Sequence, residues 1–184
     1  MEVLATQGLE GPHMRMMFGQ HNIAVSFVKP YPGWTRAQPM IRECMELVFN
    51  TKLTGPPERY ALKYVNLLTE GAHPFDMSQT TVQIKLGEFE FREANTAVHA
   101  DIERNGCVST VDIASGAKIQ LPGAPEAQGV LISVDTVIQA TDETPSTALP
   151  RVLEILHETE KEIFFGLLSG SALEKLGPMY PAKH

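Results

Sequence analysis

Residues 147–168 near the end of the chain read TALPRVLEILHETEKEIFFGLL. Leu149, Val152, Leu153, Leu156, Ile163, Phe164, Leu167 and Leu168 recur at steps of three and four, which gathers them on one face of a long amphipathic helix. Arg151, Glu154, Glu158, Lys161 and Glu162 fall on the opposite face, where water solvates them. Ser146 or Thr147 supplies an N-cap, Pro150 lies in the first turn, where a missing N–H costs little, and Gly170 follows the last periodic residue. An apolar stripe of this length has to be buried, and most of the upstream sequence alternates with the two-residue period of strands. The helix is therefore expected across one face of a sheet.

Upstream, HMRMMFGQ alternates Met14, Met16 and Phe18, and NIAVSFV alternates Ile23, Val25 and Phe27, with turn residues between them, so the two runs predict a hairpin. PYPGW ends that pattern. Thr35 with Gln38 resembles a capping box for a second helix near residues 35–50, with Met40, Ile41, Cys44, Leu47 and Val48 on one face and Trp34 as a packing anchor. RYALKYVNLL at 59–68 is apolar on both faces and suits a strand inside a sheet, and EGAHPFDMSQ is an irregular crossing with a short helical turn.

Four strand-like runs follow: TVQIKLGEFEF, whose phase changes at Gly87, then TAVHADIER, CVSTVDIA and GVLISVDTVIQA. Asn105–Gly106 is the hairpin signal between the second and third of these. The order predicts an α+β fold, a meandering and mainly antiparallel sheet with the long C-terminal helix packed on one face.

With 184 residues, 43% of them hydrophobic, the chain suits a single domain whose core requires neither disulfide nor metal. A formal net charge of -7 with no cluster of Lys or Arg argues against nucleic acid as a partner. No apolar run reaches the roughly 18 residues of a membrane span, and MEVLATQGLEG lacks the pattern of a signal peptide, so a cytoplasmic protein is expected. Cys44 and Cys107 lie outside any CxxC or Cys/His cluster and read as buried free thiols.

RYALKYVNLL, GVLISVDTVI and LPRVLEILHETEKEIFFGLLSGSALEKLG together resemble a sporadically distributed family of bacterial proteins with no established function. Its members share an Arg-Tyr strand, a late strand with an embedded Asp and a C-terminal helix. The resemblance runs from about Trp34 onward, implies the same α+β fold and carries over no catalytic residue. Members of that family carry a further N-terminal strand, which implies an unpaired sheet edge here. Such an edge, with Met14, Met16, Met17 and Phe18 close to it, predicts a homodimer formed by edge pairing.

His99, Asp101 and Glu103 alternate on one face of a predicted strand, where a carboxylate could orient an imidazole as a general base; a solvated strand face gives the same pattern. Glu154 and His157 have the E-x-x-H spacing of helical di-metal centres, but the other such pair, Glu70 and His73, lies in the irregular crossing, and no metal or cofactor is expected. Arg59 and Asn66 could hold a small anion, although their odd separation sends them to opposite faces of a strand. Asp135 is expected at a surface or bonded to a neighbouring turn. The chain contains no nucleophile elbow, phosphate-binding Gly-rich loop, dinucleotide fingerprint or zinc-protease motif. The expected function is a non-catalytic module that binds itself or a protein partner. Two alternatives are a small-molecule pocket between sheet and helix, with weak hydrolytic chemistry at His99 and Asp101, and an accessory role in a bacterial defence or toxin–antitoxin system, which the sporadic distribution implies.

Overall fold

The computed structural model describes residues 5–11, 13–69, 76–90, 96–120 and 126–176, and its class is α+β. The chain divides into two compact units, one built from residues 1–56 with 143–150 and the other from 57–142 with 151–184.

In the first unit, β1 (Ala5–Glu10), β2 (Met14–Gly19) and β3 (Ile23–Phe27) form an antiparallel sheet in that order. β2 and β3 are the expected hairpin, with the Gly19 N–H donating to the Asn22 carbonyl across the turn at 2.8 Å. β1 was not legible beforehand because ATQGLE has no apolar alternation; its place is set by pairing with β2, as in Leu9 opposite Met16. Met16 is buried, whereas Met14, Met17 and Phe18 are half-buried. Helix α1 (Trp34–Thr51) starts ahead of the expected Thr35 cap. Gly33 occupies the N-cap at φ 83° with no side-chain cap, and the helix ends through Lys52 at φ 55°, in the left-handed region.

The second unit holds the sheet that the C-terminal helix covers. Its strands are β4 (Arg59–Leu68), the short β5 (Lys85–Leu86) and β6 (Phe89–Glu90), then β7 (Ala97–Arg104), β8 (Cys107–Ile119) and β9 (Ala127–Gln139). β7, β8 and β9 form the predicted meander, β4 joins it beside β9, and the antiparallel order is β4-β9-β8-β7. The phase change at Gly87 is a turn between β5 and β6, with Gly87 at φ 61°. Asn105 at φ 54° and Gly106 at φ 74° close the β7–β8 hairpin with the two positive φ angles of a tight turn. The crossing after β4 contains a 3-10 turn at Met77–Gln79; its 70–75 segment lies outside the described residues, as do Phe91 and the 121–125 loop.

Helix α2 (Pro145–Gly166) begins earlier than the Ser146 or Thr147 cap predicted. The Thr144 carbonyl accepts from the N–H groups of Thr147 and Ala148, both at 3.0 Å, and Pro145 takes the first helical position. Gly170 does not terminate the helical segment but opens a short α3 (Gly170–Leu176), and the Ala172 N–H donates to the Ser169 hydroxyl at 3.3 Å. The segment after α2 is tied to residues 79–81: Thr81 N–H donates to the Leu167 carbonyl at 2.8 Å and Ser169 N–H to the Gln79 carbonyl at 2.9 Å. On the sheet, Leu68, Val111, Ile113, Val130, Ile132 and Val134 share one core with Met77, Ile163, Leu168 and Ala172. Among the described residues no helix is long and apolar enough to cross a membrane.

Candidate functional site

Strict alternation means that the residues between those core positions point the other way. Register aligns them in rows across all four strands of the sheet: Lys63, Asp135, Thr110 and Asp101; Val65, Ser133, Asp112 and His99; Leu67, Leu131, Ala114 and Ala97; Ala61, Val137, Val108 and Glu103. This second face is largely exposed, and it mixes charge with aliphatic surface. Val65 is 57% and Val108 46% exposed. Asp135 reaches a surface, as expected, and its carboxylate lies 3.6 Å from the Lys63 ammonium on the neighbouring strand rather than against a turn. Ser133 differs from its neighbours. It is only 6% exposed, yet its hydroxyl has no hydrogen-bond partner among the described residues.

The predicted trio lies on this face. His99 is bonded to a carboxylate, but the carboxylate is that of Asp112 on the adjacent strand, with Nδ1 2.7 Å from Oδ1. Asp101 instead accepts a hydrogen bond from the Thr110 hydroxyl at 2.7 Å, and Glu103 projects to solvent. The hydrogen bond that His99 donates to Asp112, with that carboxylate's charge, raises the His99 pKa above its ordinary value and so favours the imidazolium. The His99 side chain is 68% exposed, beside a shallow depression of about 250 Å³ that Ala97, Asp112 and Leu131 also line.

A serine, an acid and an imidazole thus share one row, but in the wrong order for nucleophilic catalysis. A hydrolytic relay needs the imidazole between nucleophile and acid. Here Asp112 stands between Ser133 and His99, and the serine and histidine are two strands apart, about 9–10 Å. His99 and Asp112 are therefore arranged as a cross-strand ion pair. Arg59 and Asn66 stand on opposite faces of β4, Arg59 in register with Gln139 on the exposed side and Asn66 with Ile132 on the core side. They do not converge on a common ligand position.

The other notable polar group lies beneath α2, and the sequence reading passed over it. Glu160 follows Leu156 by four residues and precedes Ile163 by three, so it occupies a position of the apolar stripe itself. It is 1% exposed, and among the described residues neither carboxyl oxygen has a hydrogen-bond partner. Burial, reinforced by the negative charge of Asp135 and only partly offset by nearby backbone amides of Thr136 and Tyr64, pushes its pKa up to about 9. Glu160 is consequently a neutral acid at pH 7. On the same side of the sheet Ser109 and Thr136 join hydroxyls at 2.8 Å, Asn105 donates to Thr159 at 3.1 Å, and the exposed Arg104 Nε donates to Glu162 at 2.6 Å.

His157, of the E-x-x-H pair, is half-buried with Nδ1 3.3 Å from the Tyr64 hydroxyl, and burial followed by the Lys161 charge lowers its pKa. Glu154 is exposed, while Glu70 and His73 lie outside the described residues. Among the described residues, no three His, Cys, Asp or Glu side chains converge as a metal site. Both cysteines are free, Cys107 buried and Cys44 half-buried. Compared with family models, curated proteins and solved structures, the chain matches none.

Proposed function

We propose that this protein is a non-catalytic binding module and that the second face of the four-stranded sheet is its binding surface. The observation that carries this reading is the asymmetry of the sheet. One face is covered by α2 and a largely aliphatic core, and the other offers Val65 and Val108 to solvent among charged side chains. Exposed aliphatic groups within a polar rim are the composition of an interface rather than of a catalytic cleft. Among the described residues, the His99–Asp112 pair and the buried, neutral Glu160 each stand without a reacting partner of the kind hydrolysis needs.

The test places a photo-crosslinking amino acid at Val65, at Val108 and, as a control, at Glu158 on the exposed face of α2. Adducts are expected from the two sheet positions and not from the helix. Equal yields from all three, or none from the sheet, would refute the assignment of the surface.

A further inference from the structure

The same face has a charge distribution that selects its occupant. Resting on the binding reading above, we infer that it docks a second copy of this chain, with the twofold axis parallel to the strands. The charges are sorted across the sheet. Arg59 and Lys63 lie on β4 at one side, and Asp101 and Glu103 lie on β7 at the other, with Asp135 between them and the His99 charge on β7 matched by its own Asp112.

Two sheets that meet face to face can be related by a twofold axis running along the strands or across them. An axis across the strands sets β4 over the partner's β4 and β7 over the partner's β7, so like charges meet at both sides. An axis along the strands sets β4 over the partner's β7 and β9 over the partner's β8. It therefore places Lys63 against the partner's Asp101, and symmetry repeats that contact.

This axis also preserves height along the strands, so each register row meets itself. Val137 falls opposite the partner's Val108, and Leu131 opposite the partner's Ala114, which buries aliphatic surface on both sides. In the middle of the face, Ser133 falls opposite the partner's Asp112. The Ser133 hydroxyl, nearly buried and without a hydrogen-bond partner among the described residues, reaches that carboxylate through a bridging water. Face-packed sheets lie about 10 Å apart and are rotated by roughly 30°. The central β8 and β9 stay opposed under that rotation, and the long Lys63 side chain spans the divergence at the edge.

The experiment is sedimentation velocity on the full chain across a dilution series, with melting temperature as the control for folding. The wild type is expected at twice 20.3 kDa in the micromolar range. Lys63→Glu and Asp101→Lys should each weaken the dimer ten-fold or more, and the double variant should recover most of that loss, because reversing both charges restores attraction across the axis. Val108→Arg provides an independent check and should give a folded monomer. A wild-type monomer at every concentration would overturn the inference, while an adduct at Val65 with a different protein would still leave the binding reading standing. A dimer indifferent to all these substitutions would move the interface elsewhere, the edge of the N-terminal sheet included. Single variants that weaken the dimer without rescue in the double would refute the axis.

Discussion

Replacing Glu160 by Gln should remove a large part of the pH dependence of this protein's stability. In the unfolded chain the carboxyl titrates at its ordinary 4.5, and in the fold burial holds it at about 9. Between those values the folded state keeps a proton that the unfolded state releases, so stability is fully present below 4.5 and falls as pH rises, until the folded pKa is passed. Each pH unit in that window is worth about 1.4 kcal/mol, which makes the loss between pH 5 and 8 on the order of 4 kcal/mol. That is a sizeable fraction of the stability of an ordinary domain. Glutamine keeps the shape and cannot titrate. Urea unfolding of both proteins from pH 5 to 9 yields the difference between the two stability curves, and taking that difference cancels His157 and His99, which remain in both. The difference should move steadily against the wild type as pH rises, and Glu160→Leu, which leaves no buried carboxyl, should exceed the wild type in stability at pH 8. Parallel curves for wild type and Glu160→Gln would refute the reasoning.

Leu156 is wholly buried, so Leu156→Ala should lower the unfolding free energy by about 2–5 kcal/mol, whereas Glu158→Ala on the exposed face should change it by less than about 0.5 kcal/mol in the same urea titration. A Cβ added at Gly129 would stand 1.9 Å from the Leu68 carbonyl oxygen, so Gly129→Ala should cost about 1–3 kcal/mol, measured by thermal unfolding. In an NMR titration His99 should lose its proton above the ordinary histidine range and His157 below it, and Asp112→Asn should bring His99 back down.

Periodicity made the helix under 145–166 legible, because the stripe from Leu149 to Leu168 is long enough to outweigh any single residue. The alternation of Val130, Ile132 and Val134 and the Asn105–Gly106 turn were equally plain for the meander. β1 was hidden, since ATQGLE is a strand by virtue of its neighbour and not of its own composition. Helix boundaries moved for local reasons: Thr144 and Gly33 took the cap positions ahead of Ser146 or Thr147 and Thr35, and Gly170 turned the chain into another helix. The face shared by His99, Asp101 and Glu103 was visible, but the partner of His99 was not, because cross-strand register decides it. Glu160 could have been found, since four residues after Leu156 and three before Ile163 is a core position occupied by an acid.

The pairing of β4 with β9 has a kinetic consequence. β7, β8 and β9 are joined by short connections and can zip together as neighbours, whereas the partners from Leu68–Val130 to Arg59–Gln139 lie roughly 60 to 80 positions apart in the chain. The entropy of closing so long a loop has to be met before β4 gains any ladder hydrogen bonds, so the meander is expected to form first and β4 to dock onto an exposed β9 edge afterwards. Substitutions at the Asn105–Gly106 turn should then slow refolding, and Leu62→Ala on β4 should mainly speed unfolding. Until β4 arrives, β9 presents a bare, strongly apolar edge, which makes the interval before docking the stage at which this chain is most exposed to aggregation.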